Sequence, residues 1–150
     1  MHGLLALVSL LNISIIEGQK VSGLFNLCEN IIEILANEKK WIINYFIFML
    51  NLLKIIGYDI DYQKNTSKDY LNLESLQFSN ESIVKSIKFP HLLLNYKNDI
   101  NLENANTFFR VFEIILQNHH LNNMNLNIPI HYFKFKKIVL NFLNKNEKYN

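Results

Sequence analysis

The sequence contains few residues that cross-link a chain or turn it sharply. Its 150 residues include one cysteine, four glycines and two prolines. A protein of many strands needs turn-forming residues at most of its corners, so this composition argues against an all-β fold. The lone Cys28 cannot form a disulfide within the chain, and no paired cysteines are available for zinc. We therefore expect a cytoplasmic protein in a reducing compartment.

Positive charge is also limited. The formal net charge is +2, and Arg110 is the only arginine beside fourteen lysines. A dedicated nucleic-acid-binding domain usually has a stronger basic excess. The lysines are concentrated at the C-terminal end, where residues 130–150 contain five lysines and one acidic residue.

Motifs of enzymes and metal sites are missing. The sequence has no HExxH, GxxxxGK, GxGxxG or GxSxG pattern, and its five histidines do not have the spacing of metal ligands. We expect these histidines to be hydrogen-bonded or solvated. The sequence thus predicts a protein that is not an enzyme and has no metal, cofactor or small-molecule substrate.

Apolar residues recur every three or four positions over most of the chain, which is typical of helices packed on a core. The pattern predicts helices over 3–16, 20–36, 41–56, 102–119 and 129–144. It also predicts a short helix from Asn80 to Lys88, which ends before Pro90 because the residue preceding a proline avoids the helical region.

The same periodicity predicts which side chains are buried. In the helix over 20–36 these are Val21, Leu24, Phe25, Cys28, Ile32 and Leu35. In the helix over 102–119 they are Ala105, Phe108, Phe109, Phe112, Ile115 and Leu116. In the last helix they are Phe135, Ile138, Val139, Phe142 and Leu143, with Lys134, Lys136 and Lys137 facing solvent.

The segment 41–56 is apolar on nearly all sides. A membrane span needs about 20 apolar residues, and polar side chains such as those of Asn44 and Asn51 are costly there. We interpret 41–56 as a central buried helix, with a small membrane protein as an alternative. Between 58 and 79 the alternation of Leu71, Leu73, Leu76 and Phe78 predicts a short hairpin or irregular segment. The predicted fold is an all-α bundle of about five to six helices, with a hairpin-like insertion near 60–79.

Three blocks of sequence carry a family resemblance. They are LLALVSLLNISIIEGQKVSGLFNLCENIIEILA near the start, WIINYFIFMLNLLKIIGYDIDY in the middle, and IKFPHLLLN followed by the Phe-rich helix and NIPIHYFKFKKIVLNFL. Their order and spacing, from about Leu4 to Leu143, resemble the C-terminal helical domain of RecO, most closely its alphaproteobacterial form. Residues that fall in register in the middle block include Trp41, Tyr45, Phe48, Leu52, Leu53, Gly57, Tyr58 and Asp61.

The resemblance also has departures. Many RecO proteins carry zinc-binding cysteines after the middle block, but Asn65 stands about where the first would be, so no zinc site or other cofactor is expected. The chain begins where the family's helical domain begins. We therefore expect one domain over 1–150, without the N-terminal oligonucleotide-binding (OB) fold.

The resemblance implies a role in DNA repair and recombination. RecO proteins of the RecF pathway help to exchange the single-stranded DNA-binding protein SSB for recombinase, and they anneal single strands without being enzymes. The implied partners are RecR, the acidic, Phe-ended tail of SSB and, weakly, single-stranded DNA, in the cytoplasm and at the nucleoid during repair. Candidate contact residues are Lys39, Lys40, Lys54, Arg110, Lys134, Lys136 and Lys137. A helical adaptor unrelated to repair is the main alternative.

Overall fold

The computed structural model describes residues 1–15, 20–37, 41–94 and 100–147. This part of the chain contains five α-helices and a small three-stranded sheet, which confirms the predicted helical bundle with a hairpin-like insertion. The helices are α1 (His2–Ser14), α2 (Leu24–Asn37), α3 (Trp41–Ile55), α4 (Leu102–Ile115) and α5 (Ile130–Glu147). The strands are β1 (Tyr70–Asn72), β2 (Phe78–Ser79) and β3 (Ser86–Lys88). A π-helical segment, Leu116–Leu121, continues α4, and short 3₁₀ turns occupy His91–Leu94 and Asn122–Met124.

Helix α3 lies at the centre of the bundle, as predicted. A helix that is apolar on most sides has to be enclosed by other elements. Phe46 stacks on Phe108 of α4 with ring centres 4.3 Å apart, and Tyr45 lies 4.2 Å from Phe135 of α5. The buried residues of α3 are Ile42, Ile43, Tyr45, Phe46, Phe48, Met49, Leu50, Leu52 and Leu53. None of the described helices combines the length and hydropathy needed to cross a membrane.

Gly57 ends α3, as the sequence predicts. Its φ of +101° is readily adopted only by a residue without a side chain. The Gly57 N–H donates to the Lys54 carbonyl at 3.1 Å, and the Tyr58 N–H donates to the Leu53 carbonyl at 2.8 Å. This pair of bonds is the Schellman motif, which satisfies the last carbonyls of a helix.

The small sheet has the order β2-β1-β3, with both pairs antiparallel. Leu71 at its centre is opposite Phe78 on one side and Ile87 on the other. Leu71 and Phe78 are buried, and Leu73 and Leu76 pack against the core. The predicted hairpin is therefore confirmed, with the four predicted apolar side chains holding it to the bundle.

The predicted helix from Asn80 to Lys88 is wrong, because Ser86–Lys88 forms β3 instead. The Phe89 N–H donates to the Asp69 carbonyl at 2.8 Å, and the Leu73 N–H donates to the Lys85 carbonyl at 3.0 Å. These bonds between distant segments override the weak local preference of a short segment for helix.

Helix α2 begins later than predicted and buries a different face. It starts at Leu24, after Gly23 with a φ of +80°. Phe25 is 71% exposed and Ile32 is also exposed, so their predicted burial is wrong. The side that packs on the core carries Leu27, Ile31, Ile34 and Leu35. Because α2 is apolar on two sides, periodicity alone could not identify the covered one.

Helix α5 shows the same effect, whereas the predicted buried stripe of α4 is confirmed. Phe135, Val139 and Leu143 of α5 are buried as predicted. Ile138 and Phe142 are 42% and 51% exposed, so their predicted burial is wrong. Tyr132 lies fully buried on the inner side of α5 instead.

We expect Gly57→Ala to lower the free energy of unfolding by about 1–2 kcal/mol, because a Cβ disfavours the left-handed backbone. A Cβ added at Gly57 would meet no atom of another segment within 4 Å, so the loss would reflect backbone strain alone. Urea denaturation measures it. Gly57→Asn is the control and should lose less, since asparagine tolerates this region better. Equal stability of Gly57→Ala and the unchanged protein would contradict the prediction.

Candidate interaction groove

An apolar groove opens where the start of α1, the end of α2, the start of α3 and the middle of α5 meet. Its volume is about 460 Å³, within the size range of ligand sites in proteins. The lining is mainly hydrocarbon and aromatic: Met1, His2, Gly3, Leu4, Ile32, Leu35, Ala36, Trp41, Phe135 and Ile138. Such a surface suits an aromatic or aliphatic side chain of a partner.

Aromatic side chains form the floor of the groove. Phe135 is buried, and the centre of its ring lies 6.0 Å from that of Trp41 and 4.2 Å from that of Tyr45. The Tyr45 hydroxyl donates to the Gly3 carbonyl at 3.0 Å, which fixes the start of α1 to α3. Burial raises the pKa of Tyr45 far above its ordinary value, so this hydroxyl keeps its proton.

Lysines lie next to the groove on α5. Lys134 is exposed and lies one helical turn before Ile138, which lines the groove. Lys145, also exposed, lies two turns after Ile138 on the same side of the helix. Lys39 and Lys40 lie outside the described residues; in sequence they fall between Ala36 and Trp41, which both line the groove. A partner with acidic residues beside an apolar anchor would suit this surface.

The prediction that Lys136 faces solvent is wrong. Lys136 forms a half-buried ion pair instead. Its Nζ lies 2.7 Å from Oε1 of Glu113, and the two side chains are only 24% and 21% exposed. The Tyr132 hydroxyl donates to the same Glu113 oxygen at 3.1 Å. Burial first, and then the Glu113 carboxylate, raise the pKa of Tyr132 well above its ordinary value. Lys136 therefore stabilises the α4–α5 contact, and the carboxylate of Glu113 balances its charge.

The remaining predicted cations are separate from the groove. Arg110 and Lys137 are exposed on α4 and α5. Lys54 pairs with Asp59 at 3.1 Å. It lies thirteen residues from Trp41, or about 20 Å along α3. The predicted residues that the structure describes thus do not form one patch, and Lys134 is the one closest in register to the groove.

Three histidines have structural partners, which confirms that they are satisfied by hydrogen bonds. The Nε2 atoms of His91, His119 and His120 lie 2.9, 2.7 and 3.0 Å from the backbone carbonyls of Lys68, Leu73 and Ser14. A carbonyl only accepts, so each histidine donates from Nε2. No group of three potential metal ligands occurs within the part of the chain that the structure covers.

Comparison with protein families gives a match over the first 69 of the 150 residues. Residues 1–69, which span α1, α2, α3 and the segment leading to β1, match the family described as recombination protein O C terminal. These 69 of the 150 residues are therefore similar to the C-terminal domain of recombination protein O. The match indicates a general link to DNA recombination and repair.

The resemblance of the later blocks to RecO stays a prediction, since the family match ends at residue 69. No curated protein and no solved structure gives a significant match to the chain.

Sequence reasoning missed the groove because it assigned Ile32, Phe135 and Ile138 to one continuous core. A usable signal was present on α5. Its apolar residues occupy more than one side of the helix. Lys134 precedes Ile138 by about one turn, and Lys145 follows Phe142 by about one turn. An apolar pair between lysines indicates a surface feature rather than a core stripe.

We expect Lys136→Ala to lower the free energy of unfolding by about 1–3 kcal/mol, because Glu113 would keep its charge in a half-buried place and lose its cation. Urea denaturation with Lys134→Ala as control measures this; the exposed Lys134 should cost less than about 0.5 kcal/mol. Removing both partners, in Lys136→Ala with Glu113→Ala, should recover part of the loss. Equal effects of Lys136→Ala and Lys134→Ala would contradict the assigned role of the pair.

Proposed function

We propose that this chain supplies the protein-interaction domain of a recombination mediator of the RecF pathway. In this role the domain helps to exchange SSB for recombinase on single-stranded DNA and supports strand annealing, together with RecR. The proposed place of action is the cytoplasm, at the nucleoid during repair. The match of residues 1–69 to the RecO C-terminal family supports this proposal.

The groove between α1, α2, α3 and α5 is the proposed binding site for the acidic, Phe-ended tail of SSB. A terminal phenylalanine needs an apolar recess with aromatic walls, and Trp41, Phe135 and Ile138 supply one. The groove volume of about 460 Å³ accommodates a phenyl ring together with neighbouring backbone. This recess is the single observation that carries the proposal.

The charge around the groove fits the rest of such a tail. Acidic residues ahead of the phenylalanine would lie over α5, where Lys134 is exposed one turn from Ile138. Exposed charge pairs contribute little affinity but favour the correct partner and speed the encounter. Apolar anchoring in the groove therefore supplies most of the affinity, and the lysines supply orientation.

Fluorescence anisotropy with a labelled acidic peptide ending in phenylalanine tests this site. We expect binding in the micromolar range that is lost when the terminal phenylalanine is removed. Ile138→Glu should weaken binding at least about tenfold, since it places a carboxylate at the apolar wall. Ile83→Glu is the matched control, because Ile83 is a similarly exposed isoleucine beside the sheet.

Lys134→Ala should weaken peptide binding by a few-fold at low salt and less at high salt, because the interaction is an exposed charge contact. Binding that is independent of the terminal phenylalanine would contradict the proposed site. Equal effects of Ile138→Glu and Ile83→Glu would contradict it as well.

Single-stranded DNA should bind weakly to this chain. Three of the proposed cations, Arg110, Lys134 and Lys137, are exposed and available for phosphate contacts. With three contacts, the slope of log K against log salt concentration should be about −2 for single strands. Titration of a labelled oligonucleotide at several salt concentrations measures the slope. Tight binding that is insensitive to salt would contradict this prediction.

A further inference from the structure

The apolar surface at the groove is larger than one phenylalanine requires. Further exposed apolar side chains lie on three of the helices that line the groove, α1, α2 and α5. Phe25 and Phe142, each more than half exposed, lie on α2 and α5 beyond the groove-lining Ile32 and Ile138. We call this surface the apolar face: Leu4, Val8, Phe25, Ile32, Ile138 and Phe142. Exposed apolar side chains gathered on neighbouring helices are typical of protein–protein interfaces.

Opposite charges border the apolar face on its two sides. On α2, the exposed Glu29 and Glu33 lie within one helical turn of Ile32. On α5, the exposed Lys134 lies one turn before Ile138, and the exposed Lys145 lies one turn after Phe142. Acidic side chains thus lie on the α2 side of the groove, and basic side chains lie on the α5 side.

We propose that the apolar face binds a second copy of this chain in a two-fold symmetric dimer. A two-fold interface brings the same patch of both copies together, so the patch has to complement itself. The apolar face meets this condition, because it forms a strip with acidic side chains along its α2 side and basic side chains along its α5 side. The partner's acidic row on α2 then faces the basic row on α5, and the same contact occurs a second time by symmetry.

The charges also select the direction of the two-fold axis. With the axis along the strip, each acidic row meets a basic row. With the axis across the strip, acidic rows would meet each other and basic rows would meet each other. Like charges placed opposite one another disfavour that arrangement. A single dimer geometry is therefore favoured.

The dimer would close the groove, because Ile32 and Ile138 belong both to the apolar face and to the groove lining. Self-association and capture of an acidic, Phe-ended tail then exclude each other. This consequence rests on the proposed function, whereas the dimer itself does not. The peptide should shift the chain toward monomers, and high protein concentration should weaken apparent peptide binding.

Two charge-reversal variants of the full chain test the dimer. The α2 variant carries Glu29→Lys with Glu33→Lys, and the α5 variant carries Lys134→Glu with Lys145→Glu. Sedimentation equilibrium at low salt should show dimers of the unchanged chain and, for each variant alone, self-association weakened by about tenfold or more, since each reversal acts twice in the symmetric interface. A mixture of the two variants should form dimers again, because both contacts between α2 and α5 regain opposite charges.

Lys64→Glu with Lys88→Glu is the control, since it makes the same change in charge as the α5 variant at exposed positions away from the apolar face. This control should dimerise like the unchanged chain. An unchanged chain that stays monomeric, or variants that do not restore each other in the mixture, would overturn the proposal.

The same samples separate this proposal from the function proposed for the groove. Peptide binding by a chain that stays monomeric at every concentration would overturn the dimer and leave tail capture intact. A dimer whose variants restore each other, but which ignores the Phe-ended peptide, would support the dimer and contradict tail capture.

Discussion

The structure depends on the enclosure of α3. Nine of its fifteen residues are buried. Because this helix is apolar on most sides, other elements have to cover it. Ring contacts of Phe46 with Phe108 and of Tyr45 with Phe135 attach α4 and α5 to it. The Schellman motif at Gly57 ends α3, and the chain continues toward the small sheet. The other helices are arranged as they are because each supplies part of this cover.

The interaction surface is a consequence of that arrangement. Helices α2 and α5 each have apolar residues on two sides, and enclosing α3 uses only one side of each. Ile32 on α2 and Ile138 on α5 therefore remain exposed and line a recess whose floor is Phe135. A core residue and a residue of the proposed binding site thus come from the same apolar sequence pattern. The proposed binding side is the one that the described residues leave uncovered.

Much of the fold could be predicted from the sequence because the relevant signals are local. Periodicity located the five long helices, and Gly57 located the end of α3. The strand β3 could not be predicted, since Ile87 is held by pairing with Leu71, sixteen residues away. The exposure of Phe25 and Phe142 and the pairing of Lys136 with Glu113 were missed for a related reason. Which side of a helix is covered depends on its neighbours and not on its own sequence.

We propose that the groove is the site at which this domain captures a partner's aromatic anchor. Trp41 is the only tryptophan in the chain and lines the groove, so its fluorescence reports on that site alone. Titration with an unlabelled acidic peptide ending in phenylalanine should change the tryptophan emission to saturation, and the peptide without its phenylalanine should leave it unchanged. Binding of the Phe-ended peptide without any change in the emission of Trp41 would contradict this role of the groove.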